Sequence, residues 1–264
     1  MISIVGGWQM DELKIIAIVS SKKIDSSTKE LTEKILQEVK ELFYMIDGRL
    51  LLYEIVALSD YEIIDCIGCE ECFKQGFCKM DVMDDFNVIR RKINESDIIF
   101  WCSPVYVANV SGTMKTFLDR CALSCHLLDL AGKLGYTIVV TQNTGGEETS
   151  RYLRSIQTSM GCKNLGNYIY TKELAEEKDM FTSRTAQNIY KTFKNNYSLS
   201  DSILEELYYR NREYYCHENM RFEVLNKFEF EYWNKIDRVK KCESFQEYAV
   251  ENKKFMHQKD EIID

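Results

Sequence analysis

The sequence predicts an α/β fold with a doubly wound, parallel five-stranded sheet, followed by a helical extension at the C-terminal end. Two observations support this prediction. Short apolar, β-branched runs alternate with segments of helical periodicity up to about residue 170, and strand-like runs then cease. We therefore divide the chain into a leader (residues 1–12), an α/β domain (13–170) and a helical extension (171–264).

Strands are predicted over residues 13–19, 49–57, 98–102, 136–141 and 167–170. The runs at 13–19 and 98–102 are typical of strands that are buried on both faces of a parallel sheet. Helical patterns cover residues 29–43, 84–93, 114–123 and 151–160, and the extension shows further ones at 182–195, 201–236 and 243–258. In such sheets ligands bind outside the carboxyl ends of the strands, so we examine the segments that follow the strands.

Composition limits the classes of function. The 264 residues are 45% hydrophobic and 29% charged, which is typical of a soluble globular protein. A formal charge of −8 argues against a duplex nucleic-acid binder and against an electrostatic membrane anchor. No apolar stretch approaches the roughly 20 residues that cross a bilayer, and the N-terminal segment turns acidic before any signal-like apolar run develops. We expect a cytoplasmic protein, in which ten cysteines indicate metal or redox chemistry rather than disulfides.

The first strand is followed by a polar loop, residues 20–28, with the sequence SSKKIDSST. Free backbone N–H groups, the dipole of the following helix, hydroxyls and two lysines favour an anion in such a loop. The alternative is an ordinary capped helix start, since Ser and Thr are common N-caps, but the position directly after the first strand favours phosphate. The loop lacks both G-x-x-x-x-G-K-[ST] and G-x-G-x-x-G, so it is neither a nucleoside-triphosphate loop nor a dinucleotide fingerprint.

Two later strands also end in loops suited to a ligand. Residues 103–120 read SPVYVANVSGTMKTFLDR, where Pro104 stiffens the strand end and Tyr106 offers an aromatic face to a planar ring. Residues 141–148 read TQNTGGEE, and Gly145 and Gly146 allow close approach of the backbone to a ligand.

These three segments resemble the NAD(P)H-dependent FMN reductase family. Its members carry G-S-P-R-x-x-S-N-T in the first loop, S-P-x-Y-x-x-x-x-S-x-x-M-K-x-x-x-D-R in the second, and a Gly-rich third loop. The resemblance covers residues 13–170 and implies a flavodoxin-like sheet that binds FMN, with NAD(P)H as a possible electron donor. In the first loop this chain departs from the family at Ser20, Lys22, Lys23 and Ser27, while most hydrogen-bond donors are kept.

The resemblance also implies which residues bind the cofactor. The phosphate-contacting positions are Ser21, Lys23, Ser26, Ser27 and Thr28. The flavin-ring positions are Ser103, Pro104, Val105, Tyr106, Val107, Gln142, Asn143, Thr144, Gly145 and Gly146.

Four cysteines form the motif Cys66-x2-Cys69-x2-Cys72-x5-Cys78. Such compact C-x2-C-x2-C runs are typical of iron–sulfur ligation, whereas structural zinc more often uses two separated C-x-x-C knuckles. The spacing resembles the iron–sulfur flavoproteins, a branch of the same family, and this implies a [4Fe–4S] cluster near the flavin. Reduced thiols, a disulfide state and zinc are the alternatives.

The remaining features point to structure rather than chemistry. The other six cysteines show no metal spacing and suit buried filler positions, and His126 suits a satisfied structural histidine. Core packing is also the favoured role for the aromatic residues of the extension. We predict that the extension covers the active site, exchanges with a partner protomer or recognises a larger substrate.

The sequence thus predicts an FMN-dependent oxidoreductase in which the cofactor performs the chemistry, and we assign no catalytic side chain. Electrons would come from NAD(P)H or a protein donor and pass to a small-molecule or protein acceptor, in a homodimer or homotetramer. Two alternatives remain: a reductase of a specific organic acceptor (a quinone, a nitro compound or an activated C=C bond in a metabolite or peptide), or a non-enzymatic electron carrier.

Overall fold

A computed structural model describes residues 12–23, 25–174, 177–196, 198–216 and 225–260. Except for Glu12, the predicted leader lies outside these residues. The strands are β1 Glu12–Val19, β2 Leu50–Ala57, β3 Ile98–Pro104, β4 Leu134–Thr141 and β5 Lys163–Thr171. The helices are α1 Ser27–Asp47, α2 Glu71–Gln75, α3 Phe86–Asn94, α4 Gly112–Arg120, α5 Ala122–Leu127, α6 Gly146–Ser159, α7 Lys178–Lys194, α8 Ser202–Cys216, α9 Lys227–Lys235, α10 Asp237–Lys240 and α11 Phe245–Asp260.

The five strands form one parallel sheet in the order β2-β1-β3-β4-β5, as the sequence predicts. The chain order reverses beside β1, which pairs with β2 on one side and with β3 on the other. Val19, the last residue of β1, is in register with Cys102 of β3. The loops that follow β1 and β3 therefore leave the sheet side by side, at the point where doubly wound sheets bind ligands.

Each face of the sheet has its own apolar core, because side chains alternate along the strands. Ile15, Ala17 and Val19 of β1 pack on the face covered by α1 and α7, where the extension adds its aromatic residues. Ile16 and Ile18 pack on the opposite face with α3, α4 and α6. Helices thus cover both faces of a flavodoxin-like α/β core.

The structure differs from the sequence prediction at two helices. Helix α6 begins at Gly146 rather than at residue 151, because Gly145 takes a left-handed conformation (φ 78°) and starts the helix directly after the loop. The single helix predicted over residues 201–236 is wrong. The structure has α8 and α9 there, and Asn226, which precedes α9, is not helical (φ −126°, ψ 51°).

The extension is packed on the α/β core. Tyr208, Tyr232 and Trp233 are buried together with Tyr248, which confirms the predicted packing role of the first three. For Tyr209 and Tyr214 the same prediction is wrong, because both side chains are more than half exposed. The Tyr248 hydroxyl donates to the carbonyl of Leu127 at 2.8 Å, so the last helix is joined to the segment after α4. In the described part of the chain, no helix is both long enough and apolar enough to span a membrane.

Candidate functional site

The loop after β1 presents free hydrogen-bond donors at the start of α1. Ser26 is the N-cap, and its Oγ accepts from the Lys29 amide at 3.1 Å. The Ser21 Oγ accepts from the Lys23 amide at 3.3 Å. Both serine side chains are nearly buried, and in the described residues neither hydroxyl donates to a protein acceptor. Ser26 is therefore a helix cap, and the two O–H groups remain available to an anion beside the helix N-terminus.

A chain of serine contacts joins this loop to the loop after β3. The Ser111 hydroxyl donates to the Ser20 carbonyl at 2.9 Å, and the Ser111 amide donates to the Ser103 Oγ at 3.2 Å. Ser111 is also the N-cap of α4, since its Oγ accepts from the Met114 amide. One buried serine therefore fixes the start of α4 against both ligand loops.

The loop after β3 contains a strained turn. Tyr106 and Asn109 exchange two backbone hydrogen bonds, of 2.9 and 3.1 Å. Between them Val107 and Ala108 have φ values of 50° and 56°, which glycine or asparagine would adopt more readily than a β-branched residue. The Val107 side chain is fully exposed, so packing does not account for this conformation. Such strain is characteristic of ligand-contacting loops.

The loop after β4 lies directly against this turn. Gly145 has φ 78°, and a Cβ there would lie 2.8 Å from the Ala108 Cα and 2.9 Å from the Val105 Cγ1. Thr144 is held by its own loop, since its amide donates to the Asn143 Oδ1 at 2.7 Å. The structure thus brings the predicted flavin-ring positions of both loops together. Gly146 alone lies buried in the first turn of α6 rather than in the loop.

An open cleft of about 720 Å³ lies between the first two loops and the segment that leads into the cysteine motif. Among the predicted site residues, only Tyr106 lines it. The other lining residues are Ser20, Lys22, Leu58, Ser59, Tyr61, Ile63, Asp65, Ser111, Gly112, Thr113 and Thr116. The Thr116 hydroxyl donates to Asp65 at 2.7 Å and so holds the residue before Cys66 at the wall of the cleft.

The cysteine motif lies in one loop, which we call the cysteine loop and define as residues 62–85. Its base is closed by three hydrogen bonds of 2.9 Å: the Asp85 amide to the Glu62 carbonyl, and the amides of Glu62 and Ile64 to the carboxylates of Asp85 and Asp84. Gly68, Glu70 and Gly76 adopt left-handed conformations that fold the loop around the short helix α2.

The four thiols of the motif are free and close enough to influence one another. Cys66 is exposed, and the other three are partly buried. The pKa of Cys72 is raised to about 11, first by burial and then by the neighbouring charges of Cys78, Cys66 and Cys69. In the described residues, no three His, Cys, Asp or Glu side chains are arranged to hold a metal ion. The four thiols match an iron–sulfur cluster in donor chemistry and lie near one another, but their arrangement in this structure is not one that holds a metal ion.

Arg120, at the end of α4, holds both arms of the cysteine loop. Its buried guanidinium donates to the carbonyl of Ile64 at 2.9 Å, to Asp84, and to Asp81 at 2.7 Å. It also lies over the Phe86 ring at 4.8 Å from the centroid. Burial works against ionisation of Asp84, but hydrogen bonds from Arg120 and from the amides of Ile64 and Phe86 outweigh it, so the pKa of this carboxyl lies below its usual value.

Sequence reasoning counted Ser20 and Lys22 only as a hydroxyl and a charge of the first loop, and it gave Ser111 and Arg120 no role. All four occur inside the quoted motifs, so a signal was present, but their roles depend on contacts between distant segments. Asp65 carries no motif signal beyond its position next to Cys66.

Together the fold and the site define a class: flavodoxin-like α/β proteins with a polar, donor-rich loop at the switch point of the sheet. Within that class the chain belongs to the NADPH-dependent FMN reductase family, a family of flavin-dependent oxidoreductases, whose profile matches residues 13–176. The resemblance stated from the sequence is thereby confirmed.

Individual relatives agree with this assignment. The chain is 28% identical over 200 residues to an iron–sulfur flavoprotein of Archaeoglobus fulgidus, which is 73% of this chain and 87% of that protein. It is 32% identical over 139 residues to an iron–sulfur flavoprotein of Methanocaldococcus jannaschii, which is 52% of this chain and 67% of that protein.

Solved structures support the fold alone. An apo NADH:FMN oxidoreductase superimposes with a TM-score of 0.52 at 21% identity, over 72% of this chain and 93% of that one. A flavone reductase superimposes with a TM-score of 0.53 at 16% identity, over 68% of this chain and 62% of that one.

The contacts of Arg120 lead to a prediction about stability. Arg120→Met would leave the buried Asp84 without its cation and the buried Asp81 with only the more distant Arg90, so it should lower the free energy of unfolding by about 3–5 kcal/mol. Arg90→Met is the matched control, because Arg90 lies 3.9 Å from Asp81 and is 40% exposed, so we expect a loss below about 1 kcal/mol. Urea denaturation measures both. Equal effects of the two substitutions would contradict the anchoring role of Arg120.

Proposed function

We propose that this protein is an FMN-dependent oxidoreductase that accepts electrons from NAD(P)H and passes them to an acceptor, with a [4Fe–4S] cluster as relay. One observation carries the proposal. One cleft is bordered by the loop after β1, by Tyr106 of the loop after β3, and by Asp65, which precedes Cys66 in the cysteine loop. A flavin held by the first two would therefore lie beside the residue that precedes Cys66.

The loop after β1 would hold the phosphate of FMN. The Ser21 and Ser26 hydroxyls and the free amides at the start of α1 would donate to the phosphate oxygens, and Lys23 would add a charge from the exposed side. Ser27 and Thr28 occupy the first helical turn, where backbone amides have no intrahelical partner.

The loops after β3 and β4 would hold the flavin ring. Their backbones are fixed by the Tyr106–Asn109 bonds and by the contact of Gly145 with Ala108, so the edge that faces the ring is preorganised. Tyr106 is half-exposed at the cleft and could place its ring against the flavin or against a substrate.

Cys66, Cys69, Cys72 and Cys78 would ligate the cluster. Free thiols rather than disulfides are present at all four positions, which is the state that ligation needs. When bound, FMN takes up a hydride from a reduced nicotinamide, and an iron–sulfur cluster passes single electrons onward. The protein contributes binding, orientation and separation of the two groups along α4.

A second candidate is reduction of a specific organic acceptor, such as a quinone, a nitro compound or an activated C=C bond. The open cleft beside Tyr106 favours it, since a small planar molecule could enter there. We further propose a homodimer or homotetramer. Ile67, Phe77, Val82, Met83 and Val107 are exposed apolar side chains around the site, and assembly would cover them.

Anaerobic kinetics with the full chain test the proposal. We expect purified protein reconstituted with FMN to oxidise NADH or NADPH with multiple turnovers when an artificial acceptor is supplied, as followed by loss of reduced-nicotinamide absorbance. Reduction by a ferredoxin-like donor alone would contradict the NAD(P)H-dependent enzyme and favour the electron carrier. A folded, colourless protein that binds no FMN would contradict both.

The proposed phosphate contact gives a sharper prediction. Lys23→Ala should weaken FMN binding about 10- to 100-fold, because it removes one charge-assisted contact worth about 1.5–3 kcal/mol. Riboflavin, which has no phosphate, should bind equally well to the wild type and the variant. Fluorescence titration measures both flavins, and Lys40→Ala, further along α1, serves as the control. Equal losses for FMN and riboflavin would contradict a phosphate contact.

If the proposed cluster is present, substitutions in the cysteine motif should remove iron without removing flavin. Alanine at any one of Cys66, Cys69, Cys72 or Cys78 should remove most of the iron and sulfide from anaerobically purified protein while the FMN content stays unchanged. Cys125→Ala is the control, since Cys125 is also partly buried but lies outside the motif. Zinc in place of iron and sulfide, or iron that survives all four substitutions, would contradict the assignment.

A further inference from the structure

Among the described residues of the extension, helix α9 reaches the cysteine loop. Helix α9 packs against α2, the short helix inside that loop that carries Cys72. This contact involves residues beyond position 176, where the match to the family profile ends. We propose that α9 acts as a clamp that positions the Cys72–Cys78 half of the cysteine loop and shields it from solvent. The inference rests on the proposed function insofar as it assigns those cysteines to a cluster.

The first contact of the clamp is between the Phe228 ring of α9 and the backbone of Gly76. Gly76 ends α2 with φ 80°, and its amide donates to the Cys72 carbonyl at 2.9 Å. A Cβ at Gly76 would lie 2.4–2.7 Å from three atoms of the Phe228 ring. The ring thus lies directly on the backbone between Cys72 and Cys78. Only glycine satisfies both the left-handed conformation and this close approach.

The second contact of the clamp is indirect, because His126 lies between Phe73 of α2 and Glu229 of α9. The Phe73 ring, next to Cys72 in sequence, stacks on the His126 ring with 4.6 Å between centroids and 9° between planes. The His126 Nδ1 lies 2.6 Å from the Glu229 Oε1, and Glu229 belongs to α9. Phe228 and Glu229, neighbours in one helical turn, therefore hold α2 from two directions.

Glu229 makes this arrangement specific. Its side chain is fully buried, and its Oε2 accepts from the Tyr215 hydroxyl at 3.0 Å and from the Asn226 amide group at 2.8 Å. A buried carboxylate is costly unless its partners stay in place, so α9 has one favourable position against α5 and α2. The ring nitrogen of Trp233 adds a bond to the His126 carbonyl at 3.1 Å.

The clamp acts on half of the motif. Cys66 and Gly68 lie on the exposed side of the loop, where Ile67 is also exposed. Cys72 lies in α2, on the side that α9 contacts. A cluster bound here would thus be open to a partner on one side and protected on the other, and truncation of Phe228 should remove that protection.

Phe228→Ala tests the clamp by two readouts other than enzyme activity. In metal-free protein, iodoacetamide should alkylate Cys72 several-fold faster relative to Cys66 than in the wild type, as measured by peptide mass spectrometry. In cluster-loaded protein, iron release to a chelator should be several-fold faster while FMN stays bound. In Phe228→Leu both rates should return most of the way to their wild-type values, because a branched apolar side chain still covers Gly76.

Phe255→Ala is the matched control. It truncates another partly buried phenylalanine of the extension, which packs on Arg238 rather than on the cysteine loop, and both rates should stay at their wild-type values. Gly76→Ala approaches the same contact from the loop side and should accelerate both rates even if Phe228→Ala lowers the yield of folded protein.

The outcomes separate the clamp from the proposed function. Unchanged rates in both Phe228→Ala and Gly76→Ala would overturn the clamp while leaving the cluster assignment intact. A wild-type protein that cannot be loaded with iron and sulfide would overturn the assignment. Faster Cys72 alkylation in the variants would then still support α9 as the element that positions this loop.

Discussion

The buried guanidinium of Arg120 is the interaction on which the arrangement of the site depends. It holds the two arms of the cysteine loop together and attaches them to the last residue of α4. The first turn of α4 is fixed by Ser111, which contacts the loops after β1 and β3. A nine-residue helix is about 13 Å long, so α4 is a rigid spacer with the anion loop at one end and the cysteine loop at the other. The relative position of the two proposed cofactors is thereby determined by one helix.

The two halves of the site are held by different kinds of contact. Around the sheet, the loops are fixed mainly by backbone bonds and by close approach of glycine, as between Gly145 and Ala108. The cysteine loop has no strand within it and depends on side chains: Arg120 and Asp84 at its base, and Phe228 and Glu229 at its tip. Backbone contacts tolerate extensive substitution, whereas a buried ion pair does not. The cysteine loop should therefore be the part of the molecule most sensitive to single substitutions.

This difference also explains how much could be predicted from the sequence. Strands β1, β3 and β4 follow from apolar runs, because a parallel strand buried on both faces leaves a strong local signal. Edge strand β5 is only partly buried, and its weaker signal predicted only residues 167–170 of its nine. The donor-rich loop after β1 follows from its position after the first strand. The start of α6 at Gly146 was missed because a glycine pair indicates a loop, and the left-handed conformation of Gly145 lets the helix begin sooner. The contact between Gly76 and Phe228 joins segments far apart in the chain, and no local pattern of either segment predicts it.

The strained turn at Val107 and Ala108 is another part of the site that is held by backbone contacts rather than by side chains. The left-handed conformations of these two residues are unfavourable, and packing of the Val107 side chain does not offset this cost because that side chain is fully exposed. What keeps the turn in place is the pair of backbone bonds between Tyr106 and Asn109, together with Gly145 beneath it. The turn therefore presents its backbone in a fixed shape before any ligand arrives, so that a planar ring placed there loses little binding free energy to ordering of the loop.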